Sequence, residues 1–259
     1  MADLNQTAAA FKALHVPGQP LILANVYDIL SAEAVAPLPS CKALATASYA
    51  IAKAAGTTDS KLTLEANLEA VRKIAKVAQK HNKPLTVDLQ DGYGDRLEEA
   101  VRAVIEAGGV GVNIEDVDKE TGGQYSQDDA VARVGKVLEV AKAAGVPEFV
   151  VNARCDSLMK GGTLEDTISR GHAYLEAGAT TIFVMGGPQR GVRTQEVEKL
   201  NEAFQGRLNV VYIMTSADGL RMKELKEIGV ARISVGPQLM MVAMGSLAEM
   251  ANGIFEEGA

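Results

Sequence analysis

Acidic, amide and cationic residues directly follow several apolar, β-branched runs of this sequence. The positions with chemical potential are Asp88, Gln90 and Asp91 after "PLTV", Glu115 and Asp116 after "VGVNI", and Arg154 and Asp156 in "VVNARCD". Carboxylate and amide oxygens suit a hard cation such as Mg²⁺ or Mn²⁺. The two cysteines and three histidines lack the spacing of a zinc site. These residue types therefore predict that any metal is held by oxygen.

Two of these acids, Asp88 and Glu115, would need a compensating positive charge or proton if they lay at one site. Asp88 and Glu115 would repel each other in a pocket, because burying unpaired carboxylates is costly. A divalent cation, a shared proton or the guanidinium of Arg154 would relieve that repulsion. The guanidinium also suits a carboxylate or phosphate ligand, with a purely structural salt bridge as the alternative. We therefore predict a metal site that also binds an anion.

Structural interpretations stay open for the neighbouring residues. Asp91 and Asp95 precede an amphipathic segment. For these two residues, capping of the following helix is as good an interpretation as a functional role. Cys155 lies beside Arg154 without an obvious base in the sequence, so a buried, inert thiol is predicted.

Eight short apolar runs alternate with longer amphipathic segments along the chain. The predicted strands are "PLILANV" (20–26), "KALATAS" (42–48), "PLTVDL" (84–89), "VGVNIED" (110–116), "EFVVNAR" (148–154), "TTIFVMG" (180–186), "LNVVYIM" (208–214) and "ARISVG" (231–236). Nearly continuous apolar runs are typical of a parallel sheet covered on both faces. About eight βα units predict a (β/α)8 TIM barrel, in one domain over residues 1–259. An open, doubly wound sheet is the alternative, but no GxGxxG follows the first strand.

Composition argues against several classes of protein. The formal net charge of −7 disfavours a nucleic-acid partner, because phosphate binding needs clustered Lys and Arg. No apolar run reaches the roughly 18 residues of a membrane span. The N-terminus also lacks a basic segment followed by a hydrophobic one. We expect a cytoplasmic protein with neither a nucleic-acid nor a membrane partner.

The loops that follow the strands form the catalytic face of a parallel barrel. Further polar residues predicted at this face are Asn25, Tyr27 and Asp28 near the end of the first strand, Ser48 and Tyr49 at the end of the second with Asp59 in the loop that follows, and Thr215 and Ser216 at the end of the seventh. Residues far apart in the chain are therefore expected to meet there. The methionine-rich C-terminal segment is predicted to be a helix that packs on the barrel or on a neighbouring subunit.

The ordered segments "NVYDILSA", "TASYAIA", "GTTD", "VDLQDGYGD", "NIEDVD" and "NARCDSL" together resemble the isocitrate lyase/phosphoenolpyruvate mutase superfamily. The likeness extends from about Leu21 to about Ser246. It implies a Mg²⁺-dependent barrel acting on 2-oxo acids, their enols and related carboxylates by making or breaking C–C or C–P bonds. It also implies a homo-oligomer, a dimer or a tetramer, in which C-terminal helices are exchanged between subunits.

The strand-end pattern and the resemblance together give a set of candidate site residues. The predicted metal ligands are Asp88, Glu115 and Gln90. The predicted substrate-binding residues are Ser48, Tyr49, Arg154 and Asn25. The candidate catalytic residues are Asp59, as the base, together with Arg154 and Lys119.

Two segments depart from the superfamily pattern. Gln90 stands where the motif D-x-D-x-G-[YF]-G has its second aspartate, and Asp91 follows one position later. The segment "VDKETGGQYSQDD" replaces the loop K-[KR]-C-G-H, whose cysteine is the general acid, so isocitrate and methylisocitrate cleavage are disfavoured. Lys119 in this segment is a candidate electrophile, with a solvated loop lysine as the alternative. Gly122 and Gly123 would permit a mobile lid.

The leading hypothesis is a Mg²⁺-dependent lyase or hydrolase that acts on a small 2-oxo or 2-hydroxy carboxylate of oxaloacetate type. Three alternatives stay open at this point. They are a mutase or hydrolase of a C–P bond, a non-catalytic metabolite-binding barrel, and an unrelated barrel that binds phosphate through "TSADG" or "VGPQ".

Overall fold

A sheet of short parallel strands forms the centre of the computed structural model, which describes residues 4–187, 191–214 and 219–258. The nine strands found in these ranges are β1 (Leu21–Leu23), β2 (Asn25–Val26), β3 (Leu44–Thr46), β4 (Leu85–Asp88), β5 (Gly111–Glu115), β6 (Val150–Cys155), β7 (Thr181–Val184), β8 (Leu208–Val211) and β9 (Arg232–Ser234). Their order in the sheet is β1-β9-β8-β7-β6-β5-β4-β3-β2. Every predicted strand is present, and most begin and end inside the apolar run that indicated them, whereas β6 extends one residue further, to Cys155.

The two ends of this sheet are consecutive pieces of one strand, separated by Ala24 alone. β1 pairs with β9 through Leu21 and Arg232, whereas β2 pairs with β3 through Asn25 and Ala45. The sheet therefore curls into a nearly closed barrel of eight positions. The predicted (β/α)8 barrel is confirmed, and the open doubly wound sheet is wrong.

Helices surround the barrel and join its strands. They are α1 (Leu4–Ala13), α2 (Ile29–Val35), α3 (Ser48–Ala54), α4 (Leu64–Lys80), α5 (Leu97–Glu106), α6 (Gln127–Ala143), α7 (Leu164–Glu176), α8 (Thr194–Ala203), α9 (Met222–Ile228) and α10 (Gln238–Glu257). The side chains of Thr63, Ser126 and Thr163 cap α4, α6 and α7 by accepting a backbone N–H of the first turn. Each cap satisfies one of the backbone N–H groups that the start of a helix leaves without a partner in the helix.

A row of polar side chains crosses the barrel interior from β7 to β4. Thr181, Asn152, Asn113 and Asp88 are direct register partners on neighbouring strands. Thr181 Oγ1 donates to Asn152 Oδ1 at 2.6 Å, and Asn152 Nδ2 donates to Asn113 Oδ1 at 2.7 Å. Asn113 Nδ2 then donates to Asp88 Oδ1 at 3.1 Å. This interior polar row fixes a carboxylate at the upper end of β4.

The C-terminal helix α10 exposes an apolar surface. Its exposed side chains include Met241, Val242, Met244, Leu247, Met250, Ile254 and Phe255. Only Met240 is buried on this helix. In general, large exposed apolar patches on proteins serve as interaction sites. Among the described residues, no helix combines the length and the apolar character needed to cross a membrane.

Candidate active site

A cavity of about 560 Å³ opens at the carboxyl ends of the strands, within the size range of small-ligand pockets. The predicted site residues that line it are Asn25, Ser48, Tyr49, Asp59, Asp88 and Arg154. Part of the wall is apolar, formed by Met159, Phe183, Met185, Ile213 and Met241. Three other predicted residues, Gln90, Glu115 and Lys119, do not line the cavity. Gln90 and Glu115 contact the lining residues Asp59 and Arg154, and Lys119 contacts Gln90. The fold thus brings residues from four loops and strand ends to one small-molecule site.

Asp88 is the best positioned acid of the cavity. Its Oδ2 accepts the backbone N–H of Ser48 at 2.9 Å, while its Oδ1 accepts from Asn113 of the interior polar row. The N–H of Gln90 also reaches Oδ1, at 3.4 Å. A carboxylate has about four lone-pair positions, so these three contacts orient the group without saturating it. Asp88 can therefore present oxygen to a cation or to a protonated ligand.

Gln90 connects Asp59 to Lys119. Its Nε2 donates to the main-chain oxygen of Asp59 at 2.8 Å and to Asp59 Oδ1 at 3.0 Å. Its Oε1 accepts from Lys119 Nζ at 2.7 Å. The backbone of Gln90 is left-handed, with a φ of 54°, and the side chain is buried. Because both ends of the amide are bonded inside the protein, Gln90 does not present a free oxygen to the cavity.

Lys119 connects the loop after β5 to the segment that follows the 3₁₀ turn at 59–61. Its ammonium group also donates to the carbonyl oxygen of Leu62 and lies 4.5 Å from the ring centre of Tyr93. Burial lowers the pKa of Lys119, against the opposing effect of the neighbouring carboxylates. Lys160 Nζ holds the same loop by donating to the Gly122 carbonyl at 2.7 Å. This loop therefore lies against the site with defined contacts.

Arg154 joins two acids at the edge of the cavity, the partly buried Glu115 and the buried Asp156. Its Nη1 lies 2.8 Å from Glu115 Oε2, and its Nε and Nη2 donate to Asp156 Oδ1 at 3.0 and 2.8 Å. Burial opposes the charge of Arg154, but the two carboxylates outweigh it and raise its pKa. Of the five N–H groups of a guanidinium, these contacts use three. One N–H on each Nη atom remains for a ligand in the cavity.

Burial raises the pKa of Glu115 to about 8, with Arg154 opposing this shift and Asp156, Asp88 and Asp59 adding to it. Burial and then the charge of Asp88 likewise raise the pKa of Asp59. The acids at this site therefore repel one another. A cation among them would lower the pKa of Glu115 and of Asp59.

Metal-free protein is expected to lose stability as the pH rises from about 6.5 to about 8. The folded state holds the Glu115 proton more tightly than the unfolded chain in this window, because its folded pKa lies above its ordinary value. His15, whose pKa burial lowers to about 3, affects stability only below about pH 6.5. Melting temperatures measured in EDTA test this. Glu115→Gln should flatten the slope, while Glu139→Gln, at an exposed position of α6, should not. A wild-type slope that rises or stays flat would contradict the expectation.

The remaining acids of the sequence motifs serve the structure. Asp91 accepts the N–H of Tyr93 at 2.9 Å and the hydroxyl of Tyr125 at 2.9 Å. Asp116 accepts the N–H of Asp156 at 2.9 Å and the hydroxyl of Tyr174 at 2.7 Å. Neither Asp91 nor Asp95 caps α5, which has no side-chain cap, so the capping interpretation is wrong.

Asn25 closes the barrel seam. Its Nδ2 donates to Thr46 O at 2.8 Å, and its Oδ1 accepts the N–H groups of Val235 and Gly236 at 3.1 and 3.0 Å. Both ends of the amide are therefore committed to the backbone, although the residue lines the cavity. The predicted polar residues Thr215 and Ser216, and with them most of "TSADG", lie outside the described residues.

A sequence model of the phosphoenolpyruvate phosphomutase family matches residues 11–255. The chain belongs to this family. The superfamily resemblance read from the motifs is confirmed, and the unrelated phosphate-binding barrel is wrong.

Members and structural relatives of the phosphoenolpyruvate phosphomutase family differ in their reactions. A candidate phosphonomutase from Burkholderia cenocepacia J2315 is 34% identical, with a TM-score of 0.86 over 96% of this chain and 99% of that one. An oxaloacetate decarboxylase from Paraburkholderia xenovorans (strain LB400) is 31% identical over 71% of this chain and 61% of its own. A phosphonopyruvate hydrolase crystallised with oxalate and Mg²⁺ is 21% identical and shares the fold, with a TM-score of 0.82 over 99% of this chain and 88% of that one.

The carboxylates of this site fit a divalent cation that is held largely through water. Asp59 and Asp88 line the cavity, and their mutual repulsion with Glu115 favours a cation between them. Within the described residues, however, no three His, Cys, Asp or Glu side chains converge closely enough to hold a metal ion directly. Mg²⁺ keeps several waters and needs only one or two carboxylates, so both observations are compatible with it. Gln90, as it is bonded, does not fit as a direct ligand.

Sequence reasoning missed the residues that support the site from inside the barrel. Asn113 and Asn152 orient Asp88 through the interior polar row, and Asn67 donates to the Asp88 carbonyl at 3.0 Å. Arg232 also lines the cavity. The available signal is one or two polar residues inside an otherwise apolar strand, as Asn113 in "VGVNI" and Arg232 and Ser234 in "ARISV".

Proposed function

We propose that this chain is a Mg²⁺-dependent enzyme that cleaves a C–C bond of a small 2-oxo or 2-hydroxy carboxylate of oxaloacetate type. The observation that carries the proposal is the cavity in which Asp59, Asp88 and Arg154 meet at the strand ends. The likeness to an oxaloacetate decarboxylase supports this substrate class. Residence in the cytoplasm stays a prediction of the sequence.

Asp88 would hold Mg²⁺, or Mn²⁺ in its place, with Asp59 and Glu115 contributing through water. When bound, the cation supplies positive charge beside the substrate oxygen on which negative charge develops. The oriented carboxylate of Asp88 makes this role possible, because its hydrogen bonds leave lone pairs available.

The chain's own residues provide substrate binding and a proton acceptor. The two remaining N–H groups of Arg154 suit the two oxygens of a substrate carboxylate. Ser48 and Tyr49 line the same cavity and would contribute to substrate binding. Asp59 would act as the base, since its raised pKa makes it a stronger proton acceptor than an ordinary aspartate. The apolar wall excludes water from the opposite side.

A second candidate reaction is cleavage or transfer at a C–P bond of a phosphonopyruvate-like substrate. It is favoured by the candidate phosphonomutase, which is 34% identical over nearly the whole of both chains. The same arginine and carboxylates would serve it, because a phosphonate and a carboxylate are both recognised by a guanidinium.

Turnover assays with purified full-length protein test the proposal. Oxaloacetate and phosphonopyruvate are each incubated with Mg²⁺ or with EDTA, and the products are followed by NMR. We expect Mg²⁺-dependent consumption of oxaloacetate. Consumption of phosphonopyruvate alone would establish the second candidate. If neither is consumed while a 2-oxo acid still raises the melting temperature, the chain is a binding protein and the proposal fails.

We also propose that α10 packs against a second copy of this chain, giving a dimer or a tetramer. The wild-type mass in light scattering should then be a multiple of the chain mass. Leu247→Glu places a charge in the exposed apolar surface and should reduce that mass, whereas Glu249→Gln on the same helix should leave it unchanged. A monomeric wild type would contradict this proposal.

A further inference from the structure

Arg232 is a buried cation on the cavity wall that the proposed reaction has not used. It begins β9, and the closed strand order separates β9 from β6, which carries Arg154, by β7 and β8. The two arginines therefore approach one cavity from different sides. Arg232 is only 2% exposed, and its Nε and Nη1 are buried without any hydrogen-bond partner.

Such an arrangement is costly unless a ligand satisfies it. Buried donors in native proteins are nearly always bonded, and a buried charge without a partner is strongly unfavourable. Burial lowers the pKa of Arg232 to about 9, with the charge of Asp88 opposing, so the guanidinium is still cationic at neutral pH. The neighbouring Asn209 and Ser234 bond to each other rather than to Arg232.

A second unpartnered group faces the same cavity. Thr86 Oγ1 is buried without a hydrogen-bond partner. Thr86 lies two residues before Asp88 on β4, so both side chains point to the same face of the sheet. The cavity wall therefore carries two sets of unsatisfied donors, a guanidinium and a hydroxyl, below the strand-end acids.

We propose that Arg232, assisted by Thr86, binds a second anionic group of the substrate, so that the cavity selects small acids with two anionic groups. The second group is a carboxylate or a phosphonate, since a guanidinium fits the oxygens of either. This inference rests on the proposed function for the first group, the carboxylate at Arg154. It predicts that acids with one carboxylate bind weakly.

Malate and lactate test the inference, because both are 2-hydroxy acids and only malate has a second carboxylate. Their affinities are measured by calorimetry with Mg²⁺, alongside 3-phosphonolactate for the phosphonate arm. Wild type should bind malate or 3-phosphonolactate at least about 10-fold more tightly than lactate. Arg232→Met should lower the affinity for the preferred dianion by about 10–100-fold and change the affinity for lactate by less than about 2-fold. Arg102→Met, at an exposed ion pair of α5, should change neither.

Two further measurements separate binding from a structural role. The melting temperature of ligand-free Arg232→Met should not fall, because the substitution removes a buried charge whose Nε and Nη1 have no hydrogen-bond partner. Thr86→Val should lower the affinity for the dianion by about 3–10-fold and leave the affinity for lactate unchanged. It serves as the second variant if Arg232→Met does not fold. The inference would be overturned if the variants lost affinity equally for all ligands or lost none, or if wild type did not prefer the dianions to lactate. These results do not depend on turnover, so they stand apart from the test of the proposed reaction.

Discussion

Replacing Arg154 by methionine is expected to reduce kcat/KM by about 10²–10⁴-fold, because two charge-assisted hydrogen bonds to the substrate carboxylate are lost. The same change leaves Glu115 and Asp156 buried without their counter-ion. Breaking a buried pair in this way costs about 3–5 kcal/mol of folding free energy. Steady-state kinetics and urea unfolding measure the two effects separately.

A triple variant distinguishes substrate binding from structural support at Arg154. Adding Glu115→Gln and Asp156→Asn to Arg154→Met removes the stranded charges and should recover much of the stability. It should not recover turnover. Arg102→Met, at a surface ion pair, should change stability by about 0–1 kcal/mol and leave activity intact. Full activity in Arg154→Met would show that this guanidinium is structural only.

Asp88→Asn is expected to lower turnover by about 10³-fold, since the loss of a metal ligand removes several kcal/mol of charge stabilisation. The amide keeps the shape of the side chain but places an NH₂ group against a donor, either the Ser48 N–H or the Asn113 amide. Metal affinity, followed by Mn²⁺ titration, should fall in parallel.

The matched control for Asp88→Asn lies in the same loop. Asp95→Asn changes an exposed acid of the "VDLQDGYGD" segment and should affect neither Mn²⁺ binding nor turnover. If Asp88→Asn bound Mn²⁺ as tightly as wild type, Asp88 would not be a metal ligand.

The positions of Asp88, Glu115 and Arg154 could be predicted because each follows an apolar run, and such runs end where a barrel strand reaches solvent. All three lie at the last or next-to-last position of their strands. The register is uniform enough that Glu115 and Arg154 are direct partners. Local pattern and barrel geometry are therefore sufficient for the central residues of the site.

Other features depend on contacts that are remote in sequence. The left-handed backbone at Gln90 directs its amide to Asp59 and Lys119, and nothing in the motif indicates that turn. Lys119 reaches Leu62, 57 residues earlier in the chain. The sequence also shows the first strand as one apolar run. Barrel closure divides it at Ala24 because its two ends pair with different neighbours.

The substitution of glutamine for the second aspartate has a physical consequence in this fold. An aspartate at position 90 would be one methylene too short to reach as the Gln90 amide does, and it would add a second negative charge on the side of Asp59, so the two carboxylates would repel each other. The neutral amide instead bonds Asp59 and Lys119 at once. Gln90 therefore links Lys119, in the loop after β5, to the candidate base Asp59 by hydrogen bonds.

The most direct measurement is the anomalous density of crystals grown with Mn²⁺ and oxalate. A single manganese peak beside the Asp88 carboxylate, with oxalate between the metal and Arg154, is the predicted result. A cavity without a manganese peak, or a peak remote from Asp88, would contradict the claim that strand-end acids and Arg154 together bind a metal and a carboxylate.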